Sequence, residues 1–226
     1  MRFGAIGIAL LAPLLAAESA SHAPTTDEIV ARMMAADQAR TPKLREYESV
    51  RRYTLDNGRF GTHASMTVKM RYRYPGVKEF EIVEQKGPGP VRSKVFNRMI
   101  ESEREAAGEA VRATTQISPR NYTFRLLESQ TVEGRRCFVL DAEPKTPNKF
   151  LFRGRVFIDA EDYAVARIEG APAQNPSFWV RKTAFVHRYG KFGPFWLALS
   201  NQSDTDVVVF GHTRVKIEYG EYKIRA

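Results

Sequence analysis

The residues best equipped for chemistry in this chain are four histidines, one cysteine and several grouped carboxylates. Their spacing argues against an enzyme. His22 sits in the leading segment, His63 in a loop or at the start of a strand, His187 within an aromatic strand and His212 just after a glycine. No two share helical spacing and none neighbours the cysteine. Neither an HExxH helix nor a GxSxG nucleophile turn is present. A lone histidine in such strands reads as structural or surface-exposed. Cys137 is the single cysteine, so an internal disulfide is excluded. It lies in the β-like run RRCFVLDA, where a buried thiol is the ordinary reading. The stretch KGPGP at 86–90 lacks the lysine-serine ending of a phosphate loop and reads as a turn. Asp159, Glu161 and Asp162 cluster at a tight turn, where carboxylates accept backbone hydrogen bonds. Calcium binding is the weaker reading there, as it is for Asp204 and Asp206. The expectation is a protein with no catalytic residue, no metal and no cofactor.

What the strands do offer is apolar surface. Met66, Val68, Met70, Tyr72 and Tyr74 alternate with Thr67, Lys69, Arg71 and Arg73, a period of two with one apolar and one wet face. Methionine and aromatic side chains suit irregular apolar ligands because they adapt or present broad surfaces. Burying a sixteen-carbon chain gains about 12 kcal/mol at ~0.8 kcal/mol per methylene, before ordering costs. Such a site needs no catalytic motif. The candidates for an apolar cavity are Met33, Met66, Met70, Tyr72, Phe80, Phe124, Phe138, Phe157, Phe185 and Trp196. Ile29, Val30, Met34 and Met99 are candidates for its helical cover. The competing reading of all of them is ordinary core packing.

The elements that must position these residues follow from the pattern. Arg2 followed by the apolar stretch 3–17 and small residues reads as an export signal, here taken as 1–23. The stretch is shorter than the ~20 residues of a spanning helix. Roughly 200 residues then remain at 24–226, ample for one domain. Residues 24–40 read as a helix with Thr26 as N-cap and Thr41-Pro42 as its end. Strands are expected from 44, at 65–74, through 80–84 and at 91–96. Asn57-Gly58 and Pro75-Gly76 are turns. A second helix is expected at 97–113, weakened or interrupted by Gly108. Hairpins follow at 122–143, turning at Glu133-Gly134, and at 151–170. Strands at 178–189, 195–203, 206–211 and 212–223 close the chain. Nine to eleven strands in hairpin order predict an antiparallel meander. The formal charge of +9 is interleaved with glutamates and forms no basic module, so nucleic acid is not an expected partner.

This pattern resembles the periplasmic lipoprotein-carrier superfamily, the LolA/LolB-like sorting proteins. The resemblance rests on the signal, on DEIVARMMAAD (27–37), on LREYESVRRYTL (44–55), on the hairpin VFIDAEDYAVARIEG (156–170) and on FGHTRVKIEYGEYK (210–223). It implies a mainly β fold with two or more helices: a strongly curved, unclosed antiparallel sheet, or half-barrel, with helices on the concave side. It also implies a periplasmic, monomeric, non-enzymatic protein that carries acyl chains of lipids or lipoproteins, or that senses or assembles by binding a protein or membrane partner in the envelope. In the sorting proteins a buried arginine ties the covering helices to the sheet. Arg45, Arg51 and Arg52, all near the first strand, are the candidates here.

Overall fold

The computed structural model describes residues 23–174, 180–208 and 211–225. The export signal read at 1–23 lies almost wholly outside them. The chain opens with α1 (Thr26–Arg40) and a 3-10 turn (Thr41–Lys43). Thr25, one residue before the expected cap, accepts from the Glu28 amide, and the Glu28 carboxylate accepts from the Thr25 amide. This reciprocal box satisfies two amide groups that a helix start otherwise leaves unpaired.

Three long strands follow: β1 (Glu46–Asn57), β2 (Thr62–Arg73) and β3 (Val77–Lys86). The segment after β3 is helical, not the short strand expected at 91–96. It runs through α2 (Gly89–Val91), a π turn (Arg92–Phe96) and α3 (Asn97–Ala107). Proline in its first turn suits a helix start, and the winding delivers Phe96 against the Tyr53 ring, with centroids 6.2 Å apart. Gly108, in extended conformation, separates α3 from α4 (Glu109–Thr115).

The remaining strands are β4 (Tyr122–Leu126), β5 (Gln130–Val132), β6 (Arg135–Pro144), β7 (Phe152–Asp159), β8 (Val165–Pro172), β9 (Val180–Phe192), β10 (Phe195–Val207) and β11 (Gly211–Arg225). The strand expected at 195–203 runs on to Val207 as β10, which takes in only Asp206 and Val207 of the separate strand expected at 206–211, and Gly211 already starts β11. All eleven join a single antiparallel sheet ordered β3-β2-β1-β11-β10-β9-β8-β7-β6-β4, with β5 added to β6.

Register assigns the faces. One row crosses the sheet as Met66, Tyr53, Ile217, Asn201, His187, Ile168, Val156 and Leu140. Among the described residues the helical cover lies on this face, in two separate places. Ile29, Val30 and Met33 of α1 pack on Phe138, Leu140, Val156, Ile158 and Ile168. Phe96 and Ile100 pack on Tyr53, Leu55, Met66, Val68 and Ile217. Between them Phe185, His187, Tyr189, Asn201 and Ser203 are half-buried.

The mainly β, antiparallel and unclosed character expected from the sequence is present, but the strongly curved half-barrel is not. The sheet does not curl strongly. Its edges, β3 and β4, do not pair. A tight curl would bring the two ends together and merge their cores. Each end instead buries its apolar face beneath a helix of its own, so nothing drives the sheet to wrap further. A close crossing at Gly154 and Gly170 adds local compaction. A Cβ at Gly154 would stand 2.1 Å from the Glu169 carbonyl oxygen, and Gly154 has φ +148°, so both positions need glycine.

The opposite face has one small apolar patch, in which Cys137, Val139, Phe157 and Ala166 pack with Leu127, Val132 and Trp196.

Candidate binding site

The most unusual chemistry in the fold is a buried charge. Arg51 in β1 is 2% exposed. Alternation places it on the helix-covered face with Tyr53 and Leu55. Its Nη1 donates to Glu103 of α3 at 2.5 Å, and Lys78 of β3 donates to the other oxygen at 2.7 Å. The guanidinium lies over the Tyr219 ring at 4.9 Å and the Phe80 ring at 5.4 Å. Burial raises the Glu103 carboxyl, but Lys78 and Arg51 outweigh it and hold the group at about 2. Burial likewise opposes the charge on Arg51, and Glu103 restores it. Among the described residues the Arg51 Nε and the Ser49 Oγ have no hydrogen-bond partner. Arg51 therefore ties α3 to the sheet. Of the other two candidates, Arg45 stacks on Tyr74 and Arg52 is an exposed partner of Glu221.

A shell of tyrosines borders this charge. Tyr47 stacks on Tyr72 at 5.1 Å, and Tyr222 donates to the Ala198 carbonyl at 2.6 Å. Burial pushes the Tyr47 and Tyr189 phenols up to about 12, leaving them neutral donors. His187, beside Asn201 in the central row, is driven down to about 4 by burial. It is a neutral ring at physiological pH, with tilted aromatic neighbours Phe185 and Tyr189.

Two hollows open near these groups. One of about 290 Å³ lies beside α1, where Met33, Met34, Leu44, Ile117, Ile168 and Tyr189 supply apolar walls and Asp37 and Arg40 a polar rim. The second, about 460 Å³, is a groove along β1, β2 and β3. Ser49, Met70 and Phe80 line it together with charged residues including Lys69, Arg71, Glu79 and Glu81. It borders the free edge of β3, where Val77, Ile82 and Val83 are about half exposed.

The cavity candidates are dispersed. Met33, Phe124, Phe138 and Phe185 belong to the α1 core. Met66 and Phe80 belong to the α3 core, and Met70 is fully buried beside the groove. Tyr72 stacks on Tyr47. Phe157 is on the opposite face. Trp196 donates to Asp162 at 3.0 Å and also borders the α1 hollow. Of the cover candidates, Ile29, Val30 and Met34 pack under α1, and Met99 packs on the α3 core.

The acidic turn serves the fold. Asp159 accepts from the Glu161 and Asp162 amides and is gripped by Arg135 at 2.5 Å and 3.0 Å. Asp162 pairs with Lys191 at 2.7 Å. Arg40 of α1 donates to the Asp162 carbonyl at 2.7 Å, which fastens the helix to this turn. Among the described residues no group of three or more His, Cys, Asp or Glu side chains is arranged to hold a metal.

No protein-family model and no curated protein matches the sequence. Solved structures give a distant likeness in fold. A domain described as an outer-membrane lipoprotein-sorting protein, from Vibrio parahaemolyticus, aligns with 86% of this chain and 91% of its own at 12% identity and a TM-score of 0.44. A LolA superfamily protein of Nitrosomonas europaea aligns over 90% and 95% at 11% identity, TM-score 0.39. The MucA/MucB complex of Pseudomonas aeruginosa contains a chain aligning over 86% and 93% at 10% identity, TM-score 0.27.

Sequence reasoning singled out the apolar faces but missed Glu103 and Lys78. Its one available signal was the family's buried arginine, which left three candidates. The structure decides among them: Arg51 lies on the covered side of β1 with Tyr53 and is buried, whereas Arg52 is on the other side and exposed. Without the helix position, nothing named the acid.

Proposed function

We propose that this chain is a non-catalytic binding domain of the periplasm whose partner is another protein, engaged at the β3 edge and its adjoining groove. The observation that carries this reading is the free edge itself. An edge strand presents unpaired backbone donors and acceptors that a partner strand can complete. Val77, Ile82 and Val83 add exposed apolar contacts, and the groove offers both signs of charge beside Phe80. Lys78, one step into the strand, reaches Glu103, so an occupant of the edge would act on the bond joining α3 to the sheet. The test is site-specific photocrosslinking in the intact envelope. A probe at position 83 should give one discrete protein adduct, and one at Arg125, at the far edge, should not. Ile82→Lys should abolish the adduct while leaving the far-ultraviolet spectrum unchanged. Equal labelling from both positions would defeat the proposal.

A second reading, carriage of an acyl chain, draws on the hollow beside α1. Its 290 Å³ lies at the lower limit of small-ligand sites, about 300–1,000 Å³. In that reading Met33 and Met34 line the entrance, Ile29 and Val30 belong to the movable cover, and Met99 covers the other core. A lipid mass retained by the purified native protein and lost in Met34→Trp would favour carriage over partner binding.

A further inference from the structure

The face of the sheet on which the described residues place no helix holds a group of like charges. Arg167 in β8 stands directly opposite Arg188 in β9. Arg155 lies on the neighbouring strand β7, one row away on the same face. Like charges directly opposite across strands are destabilising, so the arrangement needs compensation. Glu169 supplies part of it, bonded to Arg167 and 3.6 Å from Arg155. Among the described residues Arg188 makes no ion pair. Among the described residues the buried Arg167 Nε has no partner, while its guanidinium lies 5.2 Å above the Phe157 ring. Burial, then Arg188 and Arg155, push the Arg167 guanidinium below its ordinary range, and Glu133 opposes them only in part.

We propose that Arg155, Arg167 and Arg188 form a binding site for a phosphate group. Three guanidinium forks rise from three adjacent strands spaced about 4.8 Å apart, so they span roughly 10 Å. Glu169 bonds Arg167, Glu133 faces it, and Asp141 opposite Arg155 is shared with Arg125, so the group keeps a positive excess centred on Arg188, which a phosphate anion neutralises. Its three terminal oxygens can accept from three forks, whereas a carboxylate offers two oxygens to one bidentate donor. Ser200, opposite Arg188 on β10, contributes a hydroxyl to the rim. Phe157 fixes Arg167 from below, so the site is partly organised before the ligand arrives. This site lies on the other face of the sheet from the α3 tie and does not depend on the partner-binding reading.

The test is thermal unfolding of the mature chain in inorganic phosphate, against sodium chloride at matched ionic strength and pH 7.5. Phosphate should raise the midpoint in a saturable way. Arg188→Gln should weaken the phosphate affinity about tenfold or more and, without phosphate, unfold no earlier than the parent, because the cross-strand repulsion is gone. Arg155→Gln, at a more exposed position, supplies a second variant should the first fold poorly. Arg125→Gln should leave the effect intact. A parallel arm sediments the protein with vesicles of phosphatidylcholine alone or with one-fifth phosphatidylglycerol. Co-sedimentation only with the anionic vesicles, lost in Arg188→Gln, identifies a lipid headgroup. A phosphate shift without co-sedimentation identifies a soluble phosphate ester. Identical midpoints in phosphate and chloride, or a phosphate shift unchanged in Arg188→Gln, overturn the site.

Discussion

The two helix-covered ends of the sheet are stabilised by different means. Under α1 the contact is apolar: Ile29, Val30 and Met33 meet Leu140, Val156 and Ile158, and the polar bonds from Arg32 to Tyr163 and Arg40 to Asp162 lie at the periphery. Under α3 an apolar core made with Phe96 and Ile100 adjoins an ion triad of Arg51, Glu103 and Lys78. Apolar contact tolerates small shifts of a helix. A buried ion pair is costly unless both members stay in place. The α3 end is therefore the one whose position is specified, and whose release would be abrupt.

The contrast can be broken in order of effect. Ile29→Ala should cost about 4 kcal/mol, measured by urea unfolding, because it opens a void at a fully buried position. No single compensating substitution should restore it. Glu103→Ala should cost about 3 kcal/mol by leaving Arg51 buried and unpaired. Here a partner change should help: Arg51→Met combined with Glu103→Leu should recover most of the loss. If the double variant is as unstable as the single, the α3 end is not held by its charges.

The stretch between the two ends should reveal itself through pH. His187 has a folded value of about 4 against an ordinary 6.5. Between those limits the unfolded chain binds a proton that the folded chain does not. Stability should therefore be full above about pH 6.5 and fall by about 2 kcal/mol as pH drops toward 4. His187→Phe should flatten that slope in equilibrium unfolding. Glu103 acts lower down, since its stabilising contribution is lost only as pH falls from about 4.5 through 2. The smallest effect should come from Thr25→Ala, about 1 kcal/mol, by removing the cap that starts α1.

Much of this architecture was legible because alternation along a strand is a local property. β2, the turn at Asn57-Gly58, the hairpin around Asp159 and the break at Gly108 each declare themselves within a few residues. The curvature of the sheet does not. It depends on how two distant helices share one apolar face, and no window of sequence carries that. The segment 91–96 misled because Val91, Val95 and Phe96 fit a strand as readily as a winding turn over Tyr53. The candidate site was legible only by halves: β1 displays its arginine by alternation, while Glu103 is one of several acids on a charged helix. Arg167 and Arg188 carry no signal in the sequence, and only register sets them opposite each other.

Cys137, on the helix-free face, has a further consequence. It is wholly enclosed, and burial, with Asp159 nearby, pushes its thiol up to about 11. Almost no thiolate exists at neutral pH, and thiolate is the form that attacks disulfides. Once folded, the chain can sit among oxidants and mixed-disulfide partners without being captured by them. Its vulnerability is confined to the interval between synthesis and folding, which makes the speed of folding the real safeguard of that sulfur.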